Sequence, residues 1–159
     1  MENLAGFSVA RSGRVIQARV KIGSGVVPAI KEAVASAGIE LGAIVGACGA
    51  LEKATFRNLK VMPARYPVPP DCHLIHDMEG PLEIVSLTGW FSVTPDRQFV
   101  HAHCSASKWI DGMPVVVGGH VLDAVAGSKV VITLLEVTGG TARLGLDGEE
   151  SMSDDMIFS

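Results

Sequence analysis

The stretch Gln98–Leu122, QFVHAHCSASKWIDGMPVVVGGHVL, decides how this chain folds. Asp111-Gly112 is the strongest short-range signal for a two-residue type I′ turn, because both central residues of that turn need positive φ. Apolar and β-branched residues flank the dipeptide, so the stretch is predicted to be a long antiparallel hairpin. Counting outward from the turn brings His103 directly opposite His120. Side chains alternate along a strand, which puts His101 on the same face, diagonal to His120. Facing Cβ atoms lie about 5 Å apart and diagonal ones about 7 Å, within reach of one ion bound through Zn–N bonds of about 2.0–2.1 Å. Three imidazoles would leave a fourth coordination position open. The alternative is a hydrogen-bonded structural cluster, and a bulge at Gly118-Gly119 would turn His120 away. Cys104 alternates to the opposite face and reads as core filling.

Outward from this hairpin, Arg14–Ile22 alternates apolar and polar residues as a half-buried strand. Gly23, Ser24 and Gly25 break it. Pro28 then suits a first helical turn, Gly38 a left-handed stop, and Ile30, Ala33, Val34 and Ala37 form one apolar stripe between them. Ile39–Leu51 and Ala54–Met62 read as strands, the first so apolar that burial on both faces is expected. Met62–Pro81 carries five prolines and reads as a long loop, holding Cys72, His73, His76 and Asp77. Strands are predicted at Leu82–Val93, Arg97–Lys108, Pro114–Leu122 and Lys129–Val137. A short one at Thr141–Leu146 is joined to the last of these through a Gly139-Gly140 hairpin. The helix is expected to pack across the sheet that these strands form.

Composition sets the limits. At 159 residues the chain suits one domain over 1–146, followed by a tail over 147–159 that holds five acidic residues and no basic one. Mean hydropathy is +0.36, yet no apolar run approaches the ~18 residues of a membrane span. Eight aromatic residues against 18 glycines imply an aliphatic core with close backbone approaches, and so much apolar surface suggests an oligomer. Cys48, Cys72 and Cys104 form no CxxC pair and no even set, which fits a reducing cytoplasm. No cluster of Lys and Arg marks a phosphate-binding face.

The N-terminal strand and helix, the Glu-Ile-Val-Ser-Leu-Thr-Gly segment at Glu83–Gly89, the His101-Ala102-His103 pair and the Gly118-Gly119-His120 triplet together resemble the plant-and-prokaryote-conserved (PPC) domain. The resemblance covers roughly Arg14–Val137. It implies an α+β fold, an antiparallel-rich sheet of about seven strands packed with one or two helices, and a homotrimer whose metal ligands are His101, His103 and His120, with a divalent metal, zinc first, as cofactor. Plant members accompany AT-hook motifs linked to DNA. Arg11-Ser12-Gly13-Arg14 is not such a hook, so DNA as a partner rests on the resemblance alone. The PPC architecture is also similar to that of acetolactate decarboxylase, whose zinc is held by three histidines, and this implies metal-assisted chemistry on a small carboxylic or keto acid. A bound cation would polarise a carbonyl there.

Further site expectations attach to this reading. Glu83 is a candidate acid or base, with a structural carboxylate as the alternative. Arg19 and Arg57, on polar strand faces, are candidates for holding an anion. His73, His76 and Asp77 either close over the metal or cap a subunit interface, and Trp109 packs on a neighbouring subunit. Two function classes stay open: a trimeric metal protein with a small-molecule pocket, or an interaction module with a structural metal.

Overall fold

Asp111 and Gly112 have φ values of 49° and 87°, the signature of the type I′ turn. In the computed structural model, which describes residues 3–4, 6–64, 68–145 and 155–157, this turn joins two 14-residue strands. In chain order the elements are β1 (Arg11–Val20), α1 (Val26–Ala37), β2 (Leu41–Cys48), β3 (Ala50–Leu59), a 3-10 turn (Pro70–Cys72), β4 (His73–Thr94), β5 (Arg97–Ile110), β6 (Met113–Ala126), β7 (Val130–Thr138), β8 (Arg143–Gly145) and β9 (Asp155–Ile157). The first seven strands form one antiparallel sheet in the order β1-β7-β2-β4-β3-β6-β5. An additional β4–β5 pairing curls it into a small barrel.

The α+β expectation of a seven-stranded sheet is met, with a single α-helix among the described residues. Gly25 precedes that helix, and the left-handed Gly38 ends it by donating to Ala35 O and Val34 O. Val26, Ile30 and Val34 are buried, and the helix lies against β1, β5 and β6. These strands stand at opposite ends of the sheet order, so the helix plugs the gap between them. Phe56, Phe91, Leu51, Leu82, Ile132 and Leu134 fill the interior around Ile30. At the far end of α1, Arg14 donates from its backbone and guanidinium to Glu136 and from Nη1 to Ala37 O, tying β1, β7 and the helix terminus together. The arginine holds the Glu136 carboxyl down to about 2.

Four expectations are corrected. The proline-rich loop ends early, because β4 begins at His73 and runs for 22 residues. Pro81 is tolerated within it because the β3–β4 pairing skips between Lys53↔Glu79 and Leu51↔Leu82, so the missing donor falls at a bulge. β2 is not buried on both faces: its burial alternates and Val45 is exposed, since the helix covers other strands. The Gly139-Gly140 hairpin does not form. Thr141 N donates to Ser8 Oγ instead, and β8 pairs with β9. Of the acidic tail, residues 155–157 make that strand, and the remainder lies outside the described residues.

Ile30, fully buried at the centre of the helix stripe, tests this packing. Ile30→Ala should lower stability by about 3 kcal/mol, the cost of a cavity with no side chain to refill it. A urea midpoint unchanged from wild type would contradict the packing of α1.

Candidate metal centre

Period-two alternation divides the β5–β6 hairpin into two faces. Ala102, Cys104 and Ala106 point inward and are buried. Burial pushes the Cys104 thiol up to about 11, as suits inert core filling. His101, His103 and His120 point outward. The register is unbroken from Ile110↔Met113 to His103↔His120, so Gly118-Gly119 introduces no shift between these strands. The strand pairings set one row across the sheet, Thr88↔His103↔His120↔Arg57↔Ile75, drawn from β4, β5, β6, β3 and the start of β4.

The three imidazoles each offer a nitrogen within 4.8 Å of the others. His101 Nε2 and His103 Nε2 are 3.1 Å apart, and the His120 ring meets both at steep angles of 81° and 77°. Two nitrogens on one tetrahedral ion at 2.0–2.1 Å would stand roughly 3.3 Å apart. The donor set therefore fits a divalent cation with three protein ligands. His120 is pushed down to about 4, first by burial, then by Arg57, His101, His103 and His73. Its ring is neutral at pH 7, the form that can ligate.

The surroundings show which expected residues join the site. The histidines share a pocket of about 310 Å³ with Arg57, Asn58, Leu59 and His73. Arg57 and His73 are thus brought in. Arg19 is not; it lies in a separate pocket beside the helix with Glu32 and Ser36. His76 turns toward Phe56, its ring centroid 5.7 Å away, and Asp77 accepts a 2.6 Å bond from Thr55. Trp109 is 70 % exposed beside the turn. Glu83 faces Ser107, roughly 14 Å along β5 from His103, and lines a different cleft with Glu52, Glu79 and Pro81.

Sequence reasoning missed Trp90, Phe99 and Asn58. Trp90 stacks on His101 at 5.9 Å, and Phe99 lies 5.0 Å from Trp90, so two aromatic rings wall one side of the site. Asn58 Nδ2 donates to Gly118 O, and a Cβ on Gly119 would collide with the Asn58 amide. That collision explains the second glycine of the triplet. Gly89 has a similar cause: a Cβ there would strike the His101 carbonyl oxygen, so only glycine lets β4 approach β5 behind the first ligand.

With this geometry in place, comparison with known proteins is direct. The model of the Plants and Prokaryotes Conserved (PCC) domain, the PPC domain named above, matches residues 7–138. The chain belongs to this family. A PPC protein from Pyrococcus horikoshii is 25 % identical, with 82 % of this chain and 83 % of that one covered at a TM-score of 0.67. A metal-containing protein from Archaeoglobus fulgidus is 23 % identical over 89 % and 91 %, at 0.70. A protein from Bacteroides thetaiotaomicron, described as a candidate DNA-binding protein, is 16 % identical over 94 % and 97 %, at 0.70. The α-acetolactate decarboxylase of Bacillus subtilis is more distant: 15 % identical, 78 % of this chain and 52 % of the enzyme, at 0.53. No curated protein matches the chain.

Two outcomes test the site. In metal-free protein, His120 binds its proton in the unfolded chain near 6.5 and in the folded chain near 4. The unfolded state therefore takes up more protons in that window, so this contribution to stability is full above pH 6.5 and is lost as pH falls toward 4. Its ring signals should titrate near pH 4 by NMR, and a midpoint above 6 would refute the buried, cation-flanked setting. Gly89→Ala should shift the His101 ring signals and weaken metal uptake at least tenfold, since the strand behind the ligand must move; unaltered uptake would refute the close-approach argument.

Proposed function

We propose that the protein is a metal-binding PPC protein whose three histidines hold one divalent metal, zinc first, with an open position toward a pocket for a small carboxylic or keto acid. The convergence of His101, His103 and His120 within 4.8 Å carries this reading. Zinc is favoured by an all-imidazole set with room for a fourth ligand, although imidazole also suits iron and nickel. When bound, the metal would supply Lewis acidity to an oxygen of the ligand. Arg57, paired with His120 in the ladder, is placed to receive the acid's carboxylate. Trp90 and Phe99 keep water from one side of His101. The chemistry extends to decarboxylation, hydrolysis or isomerisation, in line with the distant likeness to a decarboxylase. In this reading Glu83 becomes an acid or base only for a ligand long enough to reach it.

The family likeness further implies a cytoplasmic homotrimer. Exposed Leu74, Ile75, Val85 and Trp109 support burial against further copies. Among the described residues no helix is long and apolar enough to cross a membrane.

A second reading, an interaction module that associates with DNA around a structural metal, is favoured by the neighbour described as a candidate DNA-binding protein. The two readings differ at the metal's fourth position, which is open to small ligands in the first and closed in the second. DNA binding would also have to weaken steeply with salt.

Purified protein should carry about one divalent metal per chain, and His103→Ala should abolish it while the far-ultraviolet circular dichroism is kept. Metal analysis finding none in native and zinc-reconstituted protein would overturn the proposal. Light scattering should give three times the chain mass, and a monomer would remove the trimer.

A further inference from the structure

Next to the histidine pocket, and sharing His103 with it, lies a second open groove of about 380 Å³. Its walls are Ser86, Thr88 and Ser105 on one side and Val116, Val117 and Gly118 on the other. The strand pairings explain why these residues meet. Thr88 faces His103, Ser86 faces Ser105, and Ser105 faces Gly118, so the row beside the metal ligands carries hydroxyls on two strands and no side chain on the third. A substituent on Gly118 would collide with the Cys104 carbonyl oxygen, so the gap in that row is built into the backbone. None of the hydrogen bonds among the described residues engages the side chains of Ser86, Thr88 or Ser105. Three hydroxyls, each both donor and acceptor, thus line a trough whose start is His103. Ser105 lies roughly 7 Å from His103 along β5, close to the span of an extended six-carbon chain.

We propose that this groove is the specificity subsite of the acid pocket and that the ligand is a polyhydroxylated carboxylic acid. Its carboxylate and 2-hydroxyl lie at the histidines and Arg57, and its remaining hydroxyls lie along Ser86, Thr88 and Ser105. The inference rests on the small-acid reading above. Chain direction follows from charge: Arg57 stands on the far side of His120 from the groove, so the anionic end points to Arg57 and the neutral, hydroxylated end to Thr88 and Ser105. An unsubstituted alkyl tail in this trough would leave the three hydroxyls without partners, which costs binding.

The test uses the full zinc-loaded chain and two six-carbon probes, gluconate and 2-hydroxyhexanoate. Both present the same 2-hydroxycarboxylate to a metal and differ only in tail hydroxyls. Titration calorimetry should find gluconate bound about tenfold more tightly, the worth of one to two net hydrogen bonds. In the double variant Ser105→Ala, Thr88→Val that preference should fall below about threefold, with zinc content unchanged. Equal binding of the two acids by the wild type would overturn the subsite and leave the acid pocket standing. A preference that survives in the double variant would do the same. Binding of neither acid by fully zinc-loaded protein would overturn the acid pocket and the subsite together. If the double variant fails to fold, Ser86→Ala and Ser105→Ala singly must each lower the preference, and no loss in either overturns the subsite.

Discussion

The pairing of β5 with β6 is the constraint on which the rest of the structure depends. Two residues with positive φ at the tip leave one register open to the strands, and each residue from His103 to His120 inherits its face from that choice. A slip of one residue would send His120 inward and Val121 outward. Such a slip is costly, because Val121, Ala124 and Ala126 on β6 and Ala102, Cys104 and Ala106 on β5 form part of the buried interior. Core and histidine cluster are thus specified by the same alternation, one on each face. The glycines beside His101 and His120 serve it by letting β4 and Asn58 come close without displacing a histidine.

The electrostatics of the outer face follow from this crowding. Five potential cations, three clustered imidazoles together with Arg57 and His73, share one pocket. Mutual repulsion and partial burial force His120 to stay neutral, so its lone pair is available to a cation at pH 7. Arg57 adds a guanidinium to the same pocket, and a metal ion held by the histidines would add to the positive potential. An anion would relieve this crowding of positive charge.

Much of the fold was legible in local chemistry. Asp111-Gly112 announced the hairpin, Gly38 the helix stop, and Ile30 with Val34 the buried stripe, because each depends on a few neighbouring residues. His103 opposite His120 followed from the turn by counting. What was not legible involved partners distant in the chain. Pro81 read as incompatible with an internal strand, but a bulge against Leu51–Lys53 accommodates it. Gly139-Gly140 read as a hairpin, but Thr141 is held by Ser8 and β8 finds its partner in β9. Arg19 and Arg57 looked equivalent on their strands, and only the second reaches the histidines.

By itself, the sequence determined the elements, the face each hairpin side chain takes and the identity of the three imidazoles, since periodicity and turn chemistry act over a few residues. Tertiary structure alone decided what surrounds them. Pairing of β3 with β6 brings Arg57 and Asn58 to His120, and pairing of β4 with β3 and β5 brings His73, Thr88 and Trp90 to the cluster and carries Glu83 to a separate cleft. The reason is geometric. Strand pairing across long loops places residues by register counted from distant bulges, and a bulge is a property of two strands together, visible in neither one alone.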